Sequence, residues 1–273
     1  MRPIISLVAA AMAITLAAPV SAASPRTVYL AIGDSLAWGD GASIPTETAY
    51  VPLMADYFAG AVHGGAKDAV NVAVRGETTS SYLSGQIGSA LAVVGDPTTD
   101  VSSVTISLGG NDLLDLLNEP TDECVINPAS PTCQALLAGA LTTVAANYPV
   151  IMYTLASALA ADPGQETVYV LTLYNPFGGT GHPFEVPVDF ALLGTDLTVD
   201  CAAIQTDPAK AGLDDIVACT SMAFGAVVID GYQVIGDNAL ALTHIGDPGF
   251  NIHPNDDGYA LIAKAHRAAA SAI

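Results

Sequence analysis

The chain has 273 residues, 51% of them hydrophobic and only 12% charged, a balance that favours a sizeable core and argues against disorder. Acidic residues outnumber basic ones 27 to 7, leaving a formal net charge of −20. Nucleic acid is a poor partner for such a surface, because its phosphates need Lys and Arg, and a polybasic membrane patch is absent.

The first 22 residues read as a secretory leader. Arg2 precedes an apolar run from Ile4 to Val20, and Val20-Ser21-Ala22-Ala23 carries the small-x-small pattern of a cleavage site after Ala22. Residues 23–273 are then expected to form one domain, secreted and extracellular. The apolar run is marginally short for a transmembrane anchor, and no stable membrane insertion is expected.

Beyond the leader, apolar segments alternate with helical patterns, which predicts α/β architecture with a parallel sheet of about five strands. Strands are predicted at Thr27–Ile32, Ala69–Val74, Val101–Leu108, Thr167–Leu173 and Ala226–Ile229, all rich in Val, Ile or Thr. Helices are predicted at Ala49–Phe58, Ser81–Val94 and Gly258–Ile273. Two stretches exceed ordinary connection length, 118–162 and 178–223. The first contains Gln134–Ala161, expected to be a buried helical pair interrupted at Asn147 and Pro149. Each stretch also holds two cysteines. In an exported chain, pairing of nearest neighbours, Cys124 with Cys133 and Cys201 with Cys219, is the cheapest of three connectivities. A zinc site would need paired C-x-x-C spacing, which is missing. Such excursions commonly wall a binding cleft.

Four short clusters carry the chemistry. Gly33-Asp34-Ser35-Leu36 follows the first strand, Gly76 the second, and Gly109-Gly110-Asn111-Asp112 the third; His253 stands before the last helix in HPNDDGY. In a doubly wound sheet these positions converge on one edge. A serine hydroxyl needs a base to become a nucleophile, and histidine suits that task. An ester under attack develops an oxyanion, for which the Ser35 and Gly76 backbone N–H groups and the Asn111 side-chain amide are candidate donors.

The four clusters, in this order, resemble the four blocks of the SGNH (GDSL) hydrolases over nearly all of the chain past the leader. The resemblance implies a flavodoxin-like three-layer α/β/α fold, hydrolysis of small-molecule or lipid esters through an acyl-enzyme, and no cofactor or metal. One position departs from the pattern: where the family usually carries an Asp three residues before the histidine, this chain has Phe250. The group that orients His253 is therefore open between Asp247, a backbone carbonyl and Asn251. Asp34 is expected to be structural, holding the turn at Ser35. Trp38 is expected either to line an acyl site or to pack in the core. Asp112 and Asp115 read as helix-capping residues, and Asn255 or Asp256 as the cap of the last helix. His63, His182, His244 and His266 lack a paired carboxylate or cysteine spacing and are not expected to bind metal. The expected enzyme is a monomeric esterase or lipase. An acetyl esterase of extracellular glycans, and a non-catalytic binding protein on the same fold, are the alternatives.

Overall fold

In the computed structural model, which describes residues 24–60, 63, 65–117, 121–162, 164–195, 197–202, 210–249 and 251–272, five strands form one all-parallel sheet. They are β1 (Arg26–Gly33), β2 (Asp68–Asn71), β3 (Thr99–Ser107), β4 (Thr167–Leu171) and β5 (Val227–Ile229), in the order β2-β1-β3-β4-β5. Continuous apolar runs suit strands that are covered on both faces. Along β1, every residue from Val28 to Ile32 is fully buried. This is the expected three-layer fold. The leader, residues 1–22, and Phe250 lie outside the described residues.

The first helices in chain order are α1 (Ser35–Trp38), α2 (Tyr50–Phe58), α3 (Thr79–Ser84), α4 (Gln86–Val94), α5 (Gly110–Leu114) and α6 (Glu123–Ile126). They are followed by α7 (Pro131–Leu159), α8 (Glu185–Leu193), α9 (Leu213–Ala223), α10 (Gly231–Ile235), α11 (Ala239–Leu242) and α12 (Asp256–Ala270). One face of the sheet buries Val28, Leu30, Ile32, Val104 and Ile106 against α3, α4, α7, α8 and α9. The other buries Tyr29, Ala31, Tyr169 and Leu171 against α2, α10 and α12.

Three expectations shift. The helix foreseen at Ser81–Val94 is two, α3 and α4, because Gly85 (φ −143°, ψ −77°) leaves the helical region between them. The strand foreseen to Val74 ends at Asn71, although Val72 and Val74 still donate to Ala31 O and Gly33 O as the chain turns away. The helical pair at Gln134–Ala161 is one helix, α7, of 29 residues with Pro149 inside it. Its buried stripe, Val144, Tyr148, Ile151, Met152, Leu155 and Leu159, runs straight through the proline. An interior proline costs about 3 kcal/mol. Full burial of each large apolar side chain returns about 1.5–3 kcal/mol, so the stripe prevails. Among the described residues, α7 alone has the length and apolarity to cross a membrane. Here that stripe packs onto the sheet.

Both excursions are cross-linked. Cys124 joins Cys133, tying α6 to the first turn of α7, and Cys201 joins Cys219 on α9.

Candidate active site

The chain order reverses direction across the sheet between β1 and β3, and ligands of open parallel sheets bind outside the carboxyl ends at such a point. In that register Gly33 lies beside Ser107, so the turn bearing Ser35 and the turn bearing Asn111 are neighbours. Asp34 caps the short helix α1 by accepting from the Leu36 N–H at 3.0 Å, which fixes Ser35 as its first residue. That is the structural role expected of it. Burial pushes the Asp34 carboxyl up to about 7.

His253 Nε2 lies 2.8 Å from Ser35 Oγ. On the other side of the ring, Nδ1 lies 2.8 Å from Asn251 Oδ1. The same oxygen accepts the His253 backbone N–H at 3.1 Å. Two donors on one atom identify it as the amide carbonyl, so Nδ1 carries the proton and Nε2 turns a lone pair towards the serine. Burial lowers the His253 pKa below the usual histidine value, with the charges of Arg75 and His244 adding to that and Asp40 opposing it. The ring is thus neutral, and basic, around pH 7.

Asp247 is not on this ring. Its Oδ2 lies 2.6 Å from Nδ1 of His244, whose Nε2 is 2.8 Å from Gly41 O. The turn that follows His244 folds Asp247 back onto that histidine rather than onto His253. His244, read as having no paired carboxylate, has one three residues on.

Asn111 Nδ2 donates to Glu77 O at 3.0 Å and makes a long contact of 3.4 Å to Asp34 Oδ2. Glu77 follows Gly76, so the Asn111 amide and the loop bearing Gly76 are tied together. Gly76 adopts φ +71°, and a Cβ built there would meet nothing within 4 Å. Backbone conformation favours glycine at this exposed position; crowding does not. Gln86, unremarked in the sequence, is buried at the start of α4 and holds this corner. Its amide brackets both Gly33 N and Gly33 O at 2.9 and 2.8 Å, and also donates to Glu77 at 2.8 Å. Tyr174 reaches the His253 segment from the end of β4, its hydroxyl donating to Ile252 O at 2.7 Å.

Ser35, Asn111 and His253 line one cleft; Gly76 does not. Its walls come from the two excursions. Cys124, Cys133 and Leu137 belong to the first, which Leu116 and Leu117 lead into, and Phe184, Val188 and Leu192 to the second. Trp38 neither lines the cleft nor packs in the core: it is 46% exposed, with the Arg75 guanidinium 5.2 Å over its ring. Asn255 caps α12 through the Gly258 N–H at 3.0 Å. Asp112 accepts from the backbone and hydroxyl of Thr79 at 2.8 and 2.7 Å, serving the start of α3 rather than its own helix. No group of three or more His, Cys, Asp or Glu with metal-holding geometry occurs among the described residues.

Comparison with known proteins gives this arrangement its class, that of the carboxylic ester hydrolases. The chain belongs to the GDSL-like lipase/acylhydrolase family, whose profile matches residues 31–261. No curated protein sequence matches significantly. Among solved structures, the lipase Lip_vut3 from a goat rumen metagenome is similar at TM-score 0.59 and 22% identity, covering 89% of this chain and 96% of its own. Phospholipase A1 from Streptomyces albidoflavus NA297 gives TM-score 0.56 and 20% identity over 88% and 98%. A mutant acetyl-xylooligosaccharide esterase from Geobacillus stearothermophilus gives 0.55 and 14% over 90% and 95%. At these identities the likeness speaks to the fold.

Proposed function

We propose that the protein is an exported serine esterase that hydrolyses esters of apolar acyl chains through an acyl-enzyme intermediate. The observation that carries the mechanism is the 2.8 Å contact between Ser35 Oγ and His253 Nε2 in a cleft shared with Asn111. The serine oxygen attacks the ester carbonyl carbon while its proton passes to Nε2. The oxyanion is received by the Ser35 backbone N–H and by the Asn111 Nδ2 hydrogen that makes only the long contact to Asp34; Gly76, outside the cleft lining, is assigned the third N–H through its loop's tie to Asn111 at Glu77 O. Collapse expels the alcohol, which leaves with the proton from His253. Water then repeats the sequence, releasing the carboxylic acid and restoring Ser35.

The cleft lining favours acyl chains over acetylated sugars. Apart from the reacting set, its polar side chains are few and engaged: the Gln134 amide nitrogen donates to Pro128 O at 2.9 Å, and the Tyr174 hydroxyl to Ile252 O. A sugar hydroxyl would find few free partners there, whereas each methylene buried by an acyl chain contributes about 0.8 kcal/mol. Export is supported by the leader-like residues 1–22 and by two disulfides, which persist in oxidising compartments.

The test is hydrolysis of p-nitrophenyl butyrate by Ser35→Ala and His253→Ala beside the parent, with circular dichroism to show that each is folded. Both variants are expected to lose at least 10³-fold in kcat. Retained turnover in folded Ser35→Ala removes the serine mechanism.

A further inference from the structure

The acid that the sequence pattern lacks beside His253 stands on a neighbouring histidine, and that histidine joins the two loops of the reaction. His244 Nε2 lies 2.8 Å from Gly41 O, on the loop that follows Ser35 and α1. Its Nδ1 lies 2.6 Å from Asp247 Oδ2, within the turn that leads to His253. Its backbone N–H donates to His253 O at 2.9 Å, beside an antiparallel bridge between Thr243 and Pro254. The two loops are in close contact there: Gly41 adopts φ +87°, and a Cβ on it would collide with Pro254 O and the His253 Cβ. We propose that the His244 side chain is a positioning clamp, held between Gly41 O and the Asp247 carboxylate, that fixes the His253 loop against the Ser35 loop. The inference rests on Ser35 and His253 being the reacting pair.

The chemistry of the two ring partners sets the state in which the clamp works. A backbone carbonyl and a carboxylate are both acceptors, so the ring makes both bonds only when both nitrogens carry protons. The hydrogen bond to Asp247 favours the imidazolium most, the bond to Gly41 O next, and the charges of Asp247 and Asp256 add to them. Burial opposes it, and the balance is a raised pKa. His253 moves the other way. The two rings thus shift in opposite directions: the environment favours the charged form of His244, which holds the loops, and the neutral form of His253, which acts as base. Loss of one His244 proton leaves a bare ring lone pair facing one of the two acceptors, and that side of the clamp opens. Stabilisation from this pair is complete below the ordinary histidine range and is lost as pH rises through the raised value.

Two readouts test this. In ¹⁵N-edited NMR of the histidine rings, His244 is expected to titrate above the ordinary histidine value with both nitrogens protonated below it, and His253 below that value. In pH profiles, His244→Gln, which keeps an amide donor for Gly41 O but no charge, is expected to shift the acid limb of kcat/KM to higher pH. It is also expected to lower kcat about tenfold while changing KM less than threefold. His244→Ala should lower kcat further, and Asp247→Asn, which removes the charged partner of the ring, should lower kcat in the same direction as His244→Gln. A neutral His244 ring at pH 6, or a His244→Gln profile that overlays the parent, overturns the proposal. If Ser35→Ala retains turnover, the reaction reading fails, and the NMR titration still decides whether the clamp is charged.

Discussion

Asn251 stands where a carboxylate would ordinarily orient the base, and replacing it measures what a neutral acceptor contributes. Its Oδ1 holds the protonated Nδ1 of His253 at 2.8 Å and the His253 backbone N–H at 3.1 Å. In the transition state the ring is an imidazolium, so the first bond becomes charge-assisted, worth about 1.5–3 kcal/mol. Asn251→Ala is therefore expected to lower kcat/KM for p-nitrophenyl butyrate by about 10- to 150-fold, far less than the roughly 10⁴-fold that follows loss of a carboxylate function in a serine triad. Asn251→Asp makes a complementary test. A carboxylate at that position raises the His253 pKa, so the acid limb of the pH profile should move to higher pH while the plateau rate is kept or exceeded. A loss of 10⁴-fold in Asn251→Ala, with the melting temperature unchanged, would refute the reasoning. So would an Asn251→Asp profile with its acid limb in place.

Other expectations follow from the same geometry. Raising the buried Asp34 carboxyl from its ordinary 3.8 to about 7 means that the folded state holds a proton the unfolded chain has released. Stability should fall by on the order of 4 kcal/mol as pH rises through that interval, and urea unfolding at pH 4 and 8 should show the slope flattened in Asp34→Asn. Each disulfide, with sequence separations of 9 and 18, restricts the unfolded chain by about 3 kcal/mol. Scanning calorimetry of paired Cys→Ser variants should therefore show melting fall by roughly 6–12 °C for each. For the acyl cleft, kcat/KM should climb about fourfold per methylene from acetate towards octanoate esters. Leu137→Trp or Val188→Trp should flatten that climb while sparing acetate, whereas a parent that prefers acetate removes the acyl-chain assignment.

The sheet and the reacting residues were legible because their signals are local. Runs such as Val28–Ile32 advertise buried strands, and Ser35, Asn111 and His253 each sit in a short cluster just past a strand or before a helix. Pro149 misled because the breaking tendency of one residue is visible in sequence, while the buried stripe that outweighs it depends on the sheet beneath. The orienting role of Asn251 had a readable signal, since Asn often bonds backbone two residues on. Asp247, an acid six residues before His253, carried a competing signal of the same short range. The His244–Asp247 pair is likewise close in sequence, but its meaning comes from Gly41, 203 residues away. Gln86 and Tyr174 act over separations of 53 and 78 residues, which no pattern along the chain reveals.

Intact-mass spectrometry after a fluorophosphonate pulse addresses the central claim most directly, because it reads the nucleophile without assuming a substrate. One adduct per chain is expected, located on Ser35 by peptide mapping, absent from Ser35→Ala and strongly slowed in His253→Ala. An adduct on another residue, or an active enzyme that resists labelling, contradicts the account.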